Sequence, residues 1–410
     1  MNMREDADRI IRAALAAAQP DAAVRKALES LPPYSGRLVL VAPGKAAWQM
    51  ARAAYDLLGE RISEGIIITK YDHVRGPIGP LTLCEAGHPV PDEHSYAATQ
   101  QAIDLVSRCG EGDLILFLLS GGGSALFEKP VISAGEMAGI TRQLLACGAS
   151  ITEMNTLRKR LSQVKGGKFA QLCAPARVYS VVLSDVLGDP LDMIASGPTY
   201  PDITTCEDAL RIVQKYGLTL SGDALAAIRV ETPKALDNSE CVVTGSVRQL
   251  CVSAQAEAAA LGYTAIVLTD SLCCEAREAG SFLGSIAQFC KKQGGSYAII
   301  AGGETVVHLT GKGKGGRNQE LALAAADQLR GMEHAVLFSV GSDGTDGPTD
   351  AAGGIVDGQT AERLAAQGIR IDDVLSNNDA YHALEKTDGL IITGPTGTNV
   401  NDFCCLLIRS

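Results

Sequence analysis

Short runs of consecutive apolar residues alternate along this chain with longer stretches in which Ala and Leu recur at helical spacing. The runs LILFLL (114–119) and YAIIA (297–301) are apolar on both faces, as strands covered by helices on either side of a parallel sheet must be. The pattern predicts strands at 37–42, 65–69, 114–119, 178–183, 240–244, 264–268, 297–301, 335–340 and 389–393. Helices are predicted at 46–58, 94–108, 154–172, 248–261, 277–293 and 318–330. A further strand at 403–409 closes the chain, and the pattern does not say which sheet takes it. Alternation of this kind is that of βαβ units, so the fold class is α/β. No short solenoid-type repeat is visible. The polar stretch RVETPKALDNS, with Pro233, separates two α/β blocks and places a domain boundary between 1–233 and 234–410.

Composition narrows the function classes. The chain has 410 residues, 46% hydrophobic and 20% charged, which excludes a mostly disordered protein. Aromatics are only 4%, with Trp48 the single tryptophan, so the core is expected from Ala, Val, Ile and Leu. A net charge of −11 argues against bulk attraction to nucleic acid or anionic lipid. An anionic ligand would need a local basic pocket. The 12 cysteines form no C-x-x-C, and the adjacent pairs Cys273–Cys274 and Cys404–Cys405 suit neither disulfides nor zinc. Reduced, buried thiols are expected. The opening MNMREDADRIIRAALAAA mixes acids with arginines and is amphipathic at helical spacing, so it reads as a helix and not as a secretory leader. The longest apolar run, 114–119, is far short of the roughly 18 residues a membrane span requires. The expectation is a soluble, cytoplasmic protein.

Candidate chemistry sits in glycine-rich turns at strand ends, where open α/β sheets bind ligands. They are Pro43-Gly44-Lys45, Ser120-Gly121-Gly122-Gly123-Ser124, Gly302-Gly303-Glu304, Gly311–Gly316 with Arg317, Asn318 and Glu320, Gly341–Asp350, and Gly394–Asn399 with Thr398. Glycine admits positive φ and close approach of backbone to phosphate oxygens. There is no G-x-x-x-x-G-K-[ST], no G-x-S-x-G and no protein-kinase signature. Gly311–Gly316 fits G-x-G-x-x-G but lacks the following acid-ended strand, which weakens a dinucleotide reading.

Cations and carboxylates cluster at the same turns. Lys45 falls at the first turn of a helix, and Arg317 opens another, where the helix dipole disfavours a cation unless an anion is shared. Asp185 and Asp189 follow one strand, and Asp343, Asp346 and Asp350 crowd one loop; such carboxylates suit Mg²⁺ or, alternatively, cap turns. Glu304 follows a buried strand and would otherwise pair with a nearby cation. Arg158, Lys159 and Arg160 belong to a basic segment that either wets a helix face or holds an anionic substrate. His88, in GHPVPD, reads as a turn histidine. With six histidines and no H-x-x-x-H, a histidine metal site is not expected.

The strings PGKAAW, AGHPVPDEHS, LLSGGGSALF, NTLRKRLSQVKGGK, LSDVLGDPLDMIASGPTYPD, GGETVVHLTGKGKGGRNQELAL, GSDGTDGPTDAAGG and TGPTGTNVND, in that order from about Pro43 to Asp402, resemble the MOFRL-containing glycerate kinases. Some members of that family were formerly labelled hydroxypyruvate reductase. The resemblance implies an N-terminal Rossmann-like α/β/α domain and a smaller C-terminal α/β domain, with an interdomain active-site cleft. It implies ATP and Mg²⁺, with glycerate, in the D form, converted to 2-phosphoglycerate and ADP. Lys45 and Arg317 match the family's proposed catalytic cations. Asp189 is then expected to orient or deprotonate the hydroxyl. Substrate and nucleotide contacts are expected from Gly44, Ser120, Gly121, Gly122, Gly123, Ser124, Arg158, Lys159, Glu304, Asn318, Thr398 and Asn399, and metal ligands from Asp185, Asp343 and Asp346. Alternatives are a hydroxypyruvate reductase using NAD(P)H at Gly311–Gly316, a non-catalytic sugar-acid sensor, and a kinase for another small hydroxy acid. Partners are small molecules, with no nucleic acid or membrane, and the chain is a monomer or homodimer.

Overall fold

The run LILFLL becomes a strand with every residue buried. In the computed structural model, which describes residues 2–409, it lies inside a six-stranded sheet. The strands are β1 (Leu38–Pro43), β2 (Ile62–Lys70), β3 (Leu81–Ala86), β4 (Leu114–Leu119), β5 (Arg177–Leu183) and β6 (Ser239–Gly245). Their order is β3-β2-β1-β4-β5-β6, and the pairs β3/β2, β2/β1, β1/β4 and β4/β5 are parallel. The chain winds outward from β1 to β3 and then restarts on the other side with β4. Strand order therefore reverses between β1 and β4, the place where such sheets bind ligands. Apolar side chains from this sheet pack with Ala98, Ala102, Phe127, Phe169 and Cys173 of the neighbouring helices. Phe117, Phe127 and Phe169 form a ring cluster with centroids 4.9–5.7 Å apart, so aromatics contribute more to this core than their scarcity suggests.

The second sheet comprises β7 (Thr264–Leu272), β8 (Tyr297–Gly303), β9 (Ala335–Gly341), β10 (Gly353–Asp357), β11 (Leu390–Ile391) and β12 (Asp402–Ile408), in the order β11-β10-β9-β12-β8-β7. The C-terminal strand β12 is wholly buried and antiparallel to both β8 and β9. Its alternate side chains face opposite sides of the sheet, which explains the adjacent buried thiols of Cys404 and Cys405. All twelve cysteines are free, but Cys147, Cys273 and Cys274 are exposed rather than buried.

The chain divides into two compact units, residues 23–244 and residues 2–22 with 245–409. This differs from the expected 1–233 and 234–410 in two ways. Strand β6 lies in the first sheet, beside β5. The opening helix, Met3–Ala17, packs on helix Val247–Ala260 of the second unit. Its apolar stripe of Ala7, Ile10, Ile11 and Ala14 is buried, and Asp6 accepts hydrogen bonds from Tyr263 (2.7 Å) and Arg409 (3.0 Å).

Two further expectations change. The helix predicted at 154–172 is two helices, Ile151–Leu161 and Lys168–Cys173. Between them Gly166 and Gly167 take positive φ, and their N–H groups donate to Ser196 and Gly197 instead of continuing a helix. Strand β3 was not predicted, because LTLCEA is only half buried and carries no continuous apolar run. Among the described residues no helix is long and apolar enough to cross a membrane.

Candidate active site

In the first unit, chemistry gathers at the carboxyl ends of β1, β4, β3 and β5. After β1 the backbone turns through Gly44, at φ +132°, where an added Cβ would lie 2.2 Å from Ser120 Oγ. Only glycine lets the β1 and β4 loops approach so closely. They are tied by the Lys45 N–H to Gly121 O (2.9 Å) and the Ala46 N–H to Ser120 Oγ (3.1 Å). A Cβ on Gly121 would fall 2.3 Å from Asp185 Oδ2, and one on Gly122 would fall 3.0 Å from both Lys45 Cγ and His88 Nε2. Lys45, His88 and Asp185 thus converge on one bare stretch of backbone. Burial, then the charges of Lys45 and Lys70, hold His88 below its ordinary pKa, against an opposing pull from Asp185. That environment favours the neutral imidazole. Asp189, at φ +52°, keeps a buried Oδ1 with no hydrogen-bond partner. Gly123 is buried against Ala195, and Ser124 is exposed in the short helix Gly123–Leu126.

The basic segment splits in two. Lys159 is 1% exposed, with Nζ 3.0 Å from Asp192 and 3.1 Å from Asp202, so its charge is neutralised inside the protein and does not face a ligand. Arg160 is likewise buried, bonded to Thr156, Thr204 and Glu231. Only Arg158 faces a cavity.

In the second unit, Arg317 opens helix Arg317–Leu329 and forks onto Asp402, Nε at 2.5 Å and Nη2 at 3.2 Å, with Nη1 2.6 Å from Glu304. Burial acts to lower its pKa, but the hydrogen bonds and charges of Asp402 and then Glu304 more than offset that, and the net shift is upward. The cation that the helix dipole disfavours is thus balanced by two carboxylates of the chain itself. Asp346 caps the same helix, accepting from the Asn318 N–H (3.1 Å), the Gln319 N–H (2.8 Å) and Asn318 Nδ2 (3.3 Å). Burial pushes its carboxyl up to about 6 against those donors. Asn318 is itself buried and accepts from Ser339 at 2.6 Å. Asp343 accepts from the Thr345 N–H within its own turn. Thr398 donates to Ala18 O and is buried, while Asn399 is exposed.

Among the described residues, no group of three or more His, Cys, Asp or Glu side chains forms a metal-binding set. A nucleotide-borne Mg²⁺ asks for only one or two carboxylates besides phosphate oxygens. Asp346 fits that role poorly, because both its oxygens already accept N–H groups. Asp185, against bare Gly121, and Asp189, with its orphaned Oδ1, fit it better. The glycines of 311–316 have another use. Gly311 and Gly313 lie against Asn377–Asp379, and the N–H groups of Gly311, Lys312, Gly313 and Lys314 donate to those residues. Those four N–H groups are therefore not available to a pyrophosphate.

Comparison with known proteins joins these features. Residues 6–229 match the model of a domain of unknown function, DUF4147, and residues 297–402 match the MOFRL family. A D-glycerate 2-kinase of Thermotoga maritima is 52% identical over 99% of each chain. The chain belongs to the MOFRL-containing glycerate kinase family. A glycerate 2-kinase of Pyrococcus horikoshii is 39% identical, covering 100% of this chain and 98% of its own. The crystal structure of a Thermotoga maritima glycerate kinase superposes with a TM-score of 0.94 at 51% identity, over 99% of each chain. The glycerate kinase fold thus comprises a Rossmann-ordered sheet and a mixed MOFRL sheet. Two residues of this family member gain prominence that the sequence reading did not give them. His88 follows β3, which periodicity hid. Asp402, at the start of β12, is fastened to Arg317 across 85 residues.

Proposed function

We propose that this protein transfers the γ-phosphoryl group of ATP to the 2-hydroxyl of D-glycerate, releasing 2-phosphoglycerate and ADP. The full-length identity to the Thermotoga maritima D-glycerate 2-kinase carries this reading. The convergence of Lys45, His88 and Asp185 on Gly121–Gly122 supports it, since phosphoryl transfer depends on positioning and charge neutralisation. The 2-hydroxyl oxygen bonds to the γ-phosphorus as the bridge to the β-phosphate breaks, and the hydroxyl proton passes to Asp189 Oδ1. Lys45 neutralises charge on the transferring group. Asp185 would hold Mg²⁺, which supplies Lewis-acid neutralisation of the phosphate oxygens. Neutral His88 hydrogen-bonds the reacting groups without adding charge.

ADP release is measured with D-glycerate, L-glycerate and other small hydroxy acids, and the product is identified by phosphorus NMR. D-glycerate is expected to have the highest kcat/KM and to give only the 2-phosphate. Lys45→Ala tests that role. The change is expected to lower kcat/KM at least 100-fold. Near-native rates in this variant, or NADH oxidation with hydroxypyruvate in place of ADP release, would overturn the proposal.

A further inference from the structure

The first unit contains a cavity of about 580 Å³ that the reaction as described leaves unused. Its volume is that of a drug-sized ligand site, and much of its wall is apolar. Val90 and Leu145, 71% and 61% exposed, belong to this wall together with Met137 and Ala138. Large apolar side chains left bare around a concavity indicate a ligand with an apolar face.

Two polar groups in the lining keep unused bonding capacity among the described residues. Glu128 is 2% exposed, and its Oε2 lies 3.2 Å from the buried Lys165 Nζ, but its Oε1 makes no hydrogen bond. A buried carboxylate oxygen in that state calls for a donor. Arg158 is half-buried, and among the described residues no carboxylate comes within ion-pair distance of it. A guanidinium placed in this way calls for an anion. Ser124 also lines the cavity and lies in the short helix Gly123–Leu126 that directly follows Gly121 and Gly122, so the cavity adjoins that cluster.

We infer that this cavity binds the nucleoside half of ATP, with adenine on the Val90–Leu145 wall and the phosphate chain leaving past Ser124 toward Gly121–Gly122. Glu128 Oε1 takes a proton donor of the nucleoside, and Arg158 takes a phosphate oxygen. Glycerate is too small and too polar all round to account for the apolar wall. The inference rests on the kinase reading only for the identity of the phosphoryl donor.

Calorimetric titration of ADP and of adenosine, without glycerate, provides the test. Ala138→Phe fills the cavity from a solvent-facing position and is expected to weaken both ligands at least 10-fold. Leu145→Ser, at an exposed site that folding tolerates, is expected to weaken both about 3-fold or more. Arg158→Gln is expected to weaken ADP at least 10-fold and adenosine less than 2-fold. The KM for glycerate stays within 2-fold in all three. Folded variants that bind ADP and adenosine like the parent overturn the inference. So does a 10-fold rise in the glycerate KM with nucleotide binding intact, which would assign the cavity to the acid. If the parent binds ADP here yet phosphorylates no glycerate, the choice of acceptor fails and the nucleoside site stands.

Discussion

Lys159→Met separates a structural lysine from a substrate-binding one. The substitution keeps the aliphatic stem and removes a charge that is 1% exposed and lies 3.0 Å from Asp192 and 3.1 Å from Asp202. Burial pushes the Asp202 carboxyl up, but the Thr204 N–H, Lys159 and Thr232 more than offset this and hold it below its ordinary pKa. Without Lys159, Asp202 keeps Arg160 at 3.5 Å, the Thr204 N–H at 3.0 Å and Thr232 Oγ1 at 2.8 Å. Breaking a buried pair costs about 3–5 kcal/mol when the remaining charge is stranded. The surviving donors reduce this, so a loss of about 2–4 kcal/mol is expected. Urea unfolding followed by fluorescence reads this directly, because the single tryptophan, Trp48, lies in the same unit. Adding Asp202→Asn is expected to recover part of the loss, and the glycerate KM is expected to stay within 2-fold. Stability within about 0.5 kcal/mol of the parent, combined with a 10-fold higher glycerate KM, would refute the reasoning and return Lys159 to the substrate.

Gly121→Ala places a Cβ 2.3 Å from Asp185 Oδ2, so that carboxylate must swing away. A fall in kcat/KM of at least 10-fold with little change in urea midpoint is expected, and unchanged kinetics would remove Asp185 from the reaction. Lys168 supplies a pH test: burial, and next the charge of Arg160, lower its pKa from 10.5 to about 8. The unfolded chain then binds more protons between pH 8 and 10.5, so this group's contribution to stability rises across that window, by about 3 kcal/mol at most. Relative to Lys168→Gln, the parent is expected to gain stability from pH 8 to 10, and a constant difference would contradict the assignment.

Part of the candidate site was legible because its signal is local. Continuous apolar runs identified β1, β4, β8 and β9, and glycines after them marked the loops at the strands' carboxyl ends. The adjoining Lys45 and Asp185 were visible for the same reason, since a residue next to a strand end stays there in the fold. The half-exposed β3 left no such run, so the placement of His88 stayed hidden. The helix expected at 154–172 failed because Gly166 and Gly167 bond to Ser196 and Gly197, residues that periodicity does not weigh.

Charges were the least legible feature, because a charge acquires its meaning from partners distant in sequence. Arg158, Lys159 and Arg160 are consecutive and chemically alike, yet one faces a cavity and two are neutralised in the interior. Arg317 looked like a cation awaiting an anion until Asp402, 85 residues on, took its fork. The chain's own order of apolar and polar residues determined the α/β elements and the loops that end them, because strand burial and turn geometry are decided within a few residues. Only the tertiary structure decided which strand stands beside which, where the first helix and last strand belong, and which charges remain for a ligand, because pairing and desolvation depend on segments that meet only after folding.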